Sequence, residues 1–179
     1  MAEDKIDYWH NAALPDVGLS QLNVNKFEFD RHVHLDYHIG VVTSGCQQYL
    51  HRGSKYSLGK GMISTFNPDE MHNGHSGTDE GYAAHVMAIP PEYMLQISQE
   101  LNQPELFFHA PLIDDPYLNQ AFLCLHKMTA LQQSEVQGLQ LETTMMAFVT
   151  EMLQRHAGRP SLLDCKTMKL SVQQLAQVK

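Results

Sequence analysis

The sequence predicts an α+β protein: a small barrel or sandwich of short strands, followed by a pair of antiparallel helices. Three observations point there. Up to about residue 90, short runs rich in β-branched and aromatic residues alternate with Gly, Asn, Asp and Ser. From Pro91 onward the punctuation is that of helices, with prolines at first turns and Ser or Asp in capping positions. A chain of 179 residues with 43% apolar content is long enough for one well-buried domain, with or without an appended helical piece.

Strands are expected over residues 26–29, 37–43, 47–51, 55–58, 62–66 and 82–89. The tetrapeptide His51-Arg52-Gly53-Ser54 reads as a hairpin turn, while Asn67-Pro68-Asp69 and residues 76–81 read as longer turns. Pro91 opens a helix to about residue 101. Asp115 before Pro116 is an N-cap with a first-turn proline, opening a helix over 116–131 whose apolar Leu118, Phe122, Leu125 and Met128 keep the 3.6-residue period. Ser134 with Gln137 forms a capping box for a helix over 135–157, which Gly158 and Pro160 are expected to end. So short a connection makes these two helices antiparallel neighbours. About half of Met128, Met145, Met146, Phe148, Met152 and Leu153 should cover the strands, leaving the rest for a symmetric helix interface. Residues 168–179 open a further helix, with Ser171 and Gln174 as its capping box. That helix stops without a terminating signal, as expected of a piece of a longer protein.

Charge and composition narrow the functional classes. Twelve Lys and Arg against 20 Asp and Glu give a net charge of −8, and such a body repels phosphate backbones. No signal-peptide pattern opens the chain, and no apolar run approaches a membrane span. Cys46, Cys124 and Cys165 are odd in number and far apart, so they read as reduced, mostly packing thiols of a cytoplasmic protein.

The most distinctive stretch is Phe29 to Gly45, FDRHVHLDYHIGVVTSG, in which His32, His34, Asp36 and His38 fall on alternate positions. On an extended strand they share one face, which could hold a metal, line a pocket for an organic ligand, or sit in water. Val33, Leu35, Tyr37, Ile39 and Val41 alternate as cleanly on the opposite face. That face has the stronger claim on the interior, leaving the histidines wet unless a bulge near Asp36 intervenes.

A second segment, GMISTFNPDEMHNGH over residues 61–75, supplies His72 after a strand and a proline turn. The His-x-His pair, a third side chain four residues on, and this Gly-strand-Pro-x-x-x-His hairpin resemble the two motifs of the cupin barrel. In metal-binding cupins two histidines and a glutamate come from the first motif and one histidine from the second. The matching positions are His32, His34, His38 and His72, with His38 in the glutamate's place and Glu70 where a glycine is common. The resemblance implies a double-stranded β-helix (jelly-roll barrel) and allows a divalent transition metal (zinc, nickel, iron or copper) on His32, His34 and His72.

The resemblance is closer to one branch. His32-x-His34-x-Asp36-Tyr37-x-Ile39-Gly40-Val41, Gly45-x-x-x-Tyr49, Gly61-Met62-Ile63, Asn67-Pro68-Asp69-Glu70-x-His72 with Gly74, and Thr78 to Tyr82 look like the effector-binding domain of AraC-type transcriptional regulators. The likeness runs from about residue 25 to 158 and implies a non-enzymatic sensory domain. Residues 1–90 would form a cupin-like effector-binding region and 91–158 helices through which a homodimer forms. Residues 159–179 would be a linker and the first helix of a truncated helix-turn-helix domain, the part that meets DNA. The expected ligand contacts are His32, His34, Tyr37, His38, Tyr49, His72 and His85, facing a small-molecule effector. A metal-dependent cupin enzyme, such as a dioxygenase or isomerase, is the alternative from another class. A dimerisation module with an empty pocket is a third.

Overall fold

The computed structural model describes residues 3–102, 106–131 and 134–158. The expected helix over 168–179, its Ser171–Gln174 box and Cys165 lie outside these residues. The chain opens with a hairpin that no Gly or Asn-Gly turn announces. Strand β1 (Lys5–Asn11) pairs antiparallel with β2 (Leu14–Val24), and the Oδ1 of Asn11 closes the turn by accepting from the Ala13 N–H at 2.9 Å. An Asn side chain can take over a backbone turn bond in this way, so Ala12 and Ala13 need no special conformation.

β3 (Phe29–His32) starts three residues later than the strand expected at 26. The two strands expected over 37–43 and 47–51 are one, β4 (Tyr37–His51), which runs through a register shift between Val42 and Ser44. Gly45 follows at φ +70°, where a Cβ would lie 2.1 Å from the Gly81 carbonyl oxygen, so only glycine fits this bend. β5 (Ser54–Gly59) returns through the expected turn, with Arg52 and Gly53 both at positive φ. β6 (Ile63–Phe66), β7 (His72–Ser76) and β8 (Tyr82–Ile89) complete the first half.

β4 belongs to two layers. Its first half pairs with β8 and β6, in the order β1-β2-β8-β4-β6, while its second half pairs with β5 and β7, and β7 with β3. The pairings are antiparallel. The cupin-like architecture is therefore a two-layered sandwich, not the closed barrel that the jelly-roll expectation described.

The second half packs over one layer. α1 (Pro91–Glu100), the short strands β9 (Phe107–Phe108) and β10 (Leu112–Ile113), α2 (Pro116–Thr129) and α3 (Glu135–His156) follow in order, and β10 extends the larger layer beside β6. The Asp115 carboxylate caps α2 by accepting from the Leu118 N–H at 3.1 Å. It also pairs with Arg155 at 2.7 Å and His156 at 2.9 Å. The start of α2 thus meets the end of α3, and the helices are antiparallel. The Ser134–Gln137 capping box is present. Gly158 does not act as a helix cap, however: Ala157 is already extended, and Ala157–Gly158 form β11, which pairs with β9.

Two cores result. Ile39, Val41, Met87 and Ile89 point from the sheet toward Phe122, Leu125, Met145, Phe148 and Met152 of the helices. Leu22, Val42, Tyr49, Leu58, Phe66 and Ala84 form a second cluster on the facing sides of the two sheets. Each Val, Leu, Ile, Phe or Met among them contributes about 1.5–3 kcal/mol by leaving water. The expected even split of the helix residues does not occur: Met145, Phe148, Met152 and Leu153 are buried, Met128 is partly covered, and Met146 alone of the six is exposed. Cys46 is half-buried, whereas Cys124 is exposed and is no packing thiol. Among the described residues no helix is long and apolar enough to cross a membrane.

Candidate ligand-binding site

The alternation that opens the histidine stretch is broken where it matters. β3 stops at His32, residues 33–36 bend, and β4 starts at Tyr37. Leu35 is thrown out to 75% exposure, and the Asp69 N–H anchors the His34 carbonyl at 2.8 Å. The bend turns His32, His34 and His38 toward the space between the sheets, while Asp36 lines no part of it. The expectation that the apolar face owns this interior is therefore wrong. Ile39 and Val41 are buried against the helix layer instead, so both faces of β4 are covered.

His72 arrives from the second layer, as the register partner of His32 on β3 and of His51 on β4. The four histidines line a cavity of about 470 Å³. Leu22, Phe29, Leu58, Phe66, Ala84 and Val86 form its apolar wall, with Ser20, Ser64, Gln47 and Asn73 as polar points. Exposed Tyr8, Phe27, Glu28 and Asp30 stand at the mouth, and no lysine or arginine is among the described lining residues. A larger and more open groove of about 1040 Å³ lies between β1, the end of α2 and the start of α3, but His10 is the only imidazole among its described lining residues. The chemistry is concentrated in the smaller cavity.

Within it the imidazoles are ordered by local hydrogen bonds. His32 Nδ1 donates to the Asp30 carbonyl at 2.6 Å, and His72 Nδ1 donates to the Glu70 carbonyl at 2.9 Å. A carbonyl only accepts, so both rings carry their proton on Nδ1 and leave Nε2 with a lone pair. His32 Nε2 lies 3.1 Å from His34 Nε2. One ligating atom each from His32, His34 and His72 can be chosen so that all lie within 4.8 Å of one another. His38 stacks on His34, with centroids 3.5 Å apart and planes 12° apart, and His72 stacks on Phe66 at 4.0 Å. Burial and the neighbouring imidazoles push His34 down to about 4 and His38 to about 3. Burial likewise takes His72 to about 3, against the raising effect of its bond to Glu70. These three rings are neutral at pH 7, the state in which imidazole ligates a metal or shares hydrogen bonds with a ligand. Nitrogen donors about 2.1 Å from a tetrahedral ion are about 3.4 Å apart, so the His32–His34 spacing fits such an ion.

Behind His72 sits a buried network that the residue pattern pointed to only through an unexpected Glu70. Its carboxylate accepts from His51 Nε2 at 3.0 Å, Arg52 Nε at 2.7 Å and Arg52 Nη2, and from the Asn67 backbone N–H at 2.9 Å and side chain at 3.0 Å. Burial would raise this carboxyl, but the bond to His51 and the charges of His51 and Arg52 outweigh it and hold it below the usual range. Arg52 and Asn67 continue to the Phe108 carbonyl, on the strand that pairs with β11.

Three expected contacts lie elsewhere. The Tyr37 hydroxyl donates to the Leu106 carbonyl at 3.2 Å, on the helix side of β4. Tyr49 is core, its hydroxyl donating to Pro111 at 2.8 Å and its ring stacked on Tyr56. His85 faces α2 and meets His126. Parity on β8 explains the last: Ala84 and Val86 face the cavity, so His85 between them cannot.

A helix-backed β-sandwich with a histidine-lined cavity between its sheets defines a cupin-like ligand-binding module. Residues 15–149 match the family described as the AraC-like ligand binding domain, and the chain belongs to that family, the sensing domains of AraC-type regulators. Solved structures agree on the fold. The AraC-like transcriptional activator CuxR superposes with a TM-score of 0.63 at 9% identity, over 88% of this chain and 59% of that one. ToxT K231A from Vibrio cholerae strain SCE256 gives 0.59 at 13% identity, over 78% and 55%. The chain thus spans less than two thirds of the two AraC-like proteins. The comparison with curated protein sequences gives no match.

Proposed function

We propose that this chain is the effector-binding and dimerisation part of a DNA-binding transcriptional regulator, taking a small molecule between its two sheets. The observation that carries the reading is the 470 Å³ cavity with four imidazoles in its wall, in a chain whose family is named for ligand binding. The volume suits one small metabolite. The cavity wall is also the floor under the helices: Ala84 and Val86 face the ligand space while His85, between them, touches α2. Occupancy can therefore bias helix placement directly, and allosteric coupling of this kind is typically worth ~1–3 kcal/mol.

The dimer in this reading forms through α3, where Val136 and Leu139 are 78% and 66% exposed and Met146 lies further along the helix. The protein acts in the cytoplasm, with residues 1–90 as the sensing region, 91–158 as the dimerisation region and 159–179 leading to a helix-turn-helix. DNA is met only downstream, consistent with the acidic body. CuxR, which shares the fold, is described as a transcriptional activator, which supports this role. The alternative, a metal-dependent cupin enzyme, draws on the His32, His34 and His72 cluster.

Thermal-shift screening of a metabolite panel tests the proposal, with Ala84→Phe, which fills the cavity, as control. Stabilisation by a metabolite that is recovered unchanged, absent in a folded Ala84→Phe variant, is expected. Turnover of the bound compound would replace the regulator by the enzyme.

A further inference from the structure

We propose that the cavity between the sheets selects an organic cation: an aromatic amine whose ammonium group rests at the mouth against Glu28 and Asp30, and whose ring carries a hydrogen-bond donor to His72 Nε2 at the inner end. This rests on the effector-cavity reading above and names the effector's chemistry.

The first argument is a buried acceptor that no donor meets. His72 is 6% exposed and lines the cavity, and its Nδ1 proton is spent on the Glu70 carbonyl at 2.9 Å. Its Nε2 therefore carries a lone pair, and no described residue donates to it. Stacking on Phe66, with centroids 4.0 Å and planes 7° apart, holds the ring in place. The corresponding atom of His32 is already paired, with His34 Nε2 at 3.1 Å. Ser64 gives its proton to the Gly40 carbonyl at 3.3 Å, so its hydroxyl can only accept from a ligand. His38 has no hydrogen bond among the described residues and offers one donor and one acceptor. A ligand that brings a donor satisfies His72, whereas one that only accepts leaves a buried polar atom unmet.

The second is the chemistry of the mouth. Glu28 and Asp30 are exposed there, and among the described residues neither carboxylate has a cationic partner. Lys26 and Arg31 flank this run in the sequence but line no part of the cavity. Phe27 meets Phe29 edge to face, with centroids 4.9 Å and planes 78° apart, and exposed Tyr8 completes the rim. An ammonium group is attracted both by the faces of such rings and by carboxylates. The net charge of −8 on the whole chain adds a long-range pull in the same direction.

The third is the exclusion of anions. With no lysine or arginine among the described lining residues, a carboxylate or phosphate would pass two carboxylates and then lie without a counter-charge. Leu22, Leu58, Phe66 and Val86 supply the apolar wall for the body of the ligand. The inner end calls for a donor and the outer end for a cation, so the ligand has one orientation.

The test is calorimetric titration at low salt with a chelator present throughout, so that no metal ion takes part. Tyramine, para-ethylphenol and para-hydroxyphenylacetate share one skeleton, and tryptamine, skatole and indoleacetate share another. In each set the amine should bind about tenfold more tightly than the neutral compound, and the carboxylate should bind least. That preference should vanish in a Glu28→Gln, Asp30→Asn double variant with native far-UV circular dichroism. Phenethylamine, which lacks the hydroxyl, should bind roughly fivefold more weakly than tyramine, and His72→Phe should erase the difference. Binding of a carboxylate as tightly as its amine overturns the inference. So does an amine preference that survives in the double variant, equal affinity for phenethylamine and tyramine, or no binding of either amine. If a metabolite without a cationic group then gives a thermal shift that Ala84→Phe abolishes, the effector cavity stands, so the two readings fail separately.

Discussion

The Nδ1 atoms of His85 and His126 lie 2.9 Å apart, and His126 Nε2 donates to the Ser20 carbonyl at 3.1 Å. Because that carbonyl only accepts, His126 carries its proton on Nε2 and accepts from His85 through Nδ1. The Trp9 edge and the Phe122 face close the remaining sides of the His126 ring. A second proton on His126 would reverse this contact and shift the His85 proton to its other nitrogen, and burial at the junction of α2 with the cavity wall disfavours the charged ring.

This gives a pH dependence with a definite sign. Burial and then His85 lower His126 to about 4, and burial takes His72 to about 3, against about 6.5 in the unfolded chain. Between those values the unfolded state binds more protons, so stability is present above about pH 6.5 and is lost as pH falls toward 4. Each of these two buried rings contributes a slope of about 1.4 kcal/mol per pH unit in that window. Urea unfolding at pH 7.5, 6.5 and 5.5 should show the decline, and His126→Gln should reduce its slope by about one proton.

Glu70→Gln is expected to destabilise the fold by about 3–5 kcal/mol, because it leaves the mostly buried Arg52 guanidinium without its carboxylate. The damage should spread to β9. The Phe108 N–H donates to Asn67 Oδ1 at 2.8 Å, and Asn67 is held by Glu70. Denaturant titration measures the first effect, and faster amide exchange at Phe108 under native conditions measures the second.

Leu139→Asp should turn a dimer into a monomer while leaving the melting temperature of the monomeric fold nearly unchanged. Leu139 is 66% exposed and touches no core cluster, so the substitution costs little within one chain. Sedimentation equilibrium at micromolar concentration gives the answer, with a monomer in the unsubstituted protein counting against the α3 interface.

Local signals were enough wherever one residue's chemistry decides one piece of backbone. Asp115 and Ser134 cap the helices expected of them, Pro116 opens α2, Arg52-Gly53 makes its turn and β8 has the bounds expected for it. The histidine clustering was equally legible, since His32, His34, His38 and His72 are close in the sequence motifs and in space. The side on which those histidines lie could not be read from their spacing. Alternation says that two faces differ but not which is inside, and here the helices bury the Ile39–Val41 face while the second sheet covers the His38 face. The same ambiguity hid the positions of Tyr37, Tyr49 and His85, and the union of two expected strands into β4 around Gly45 and Gly81. A strand's inner and outer faces are assigned by what packs on it from distant parts of the chain, and only the folded chain brings those parts together.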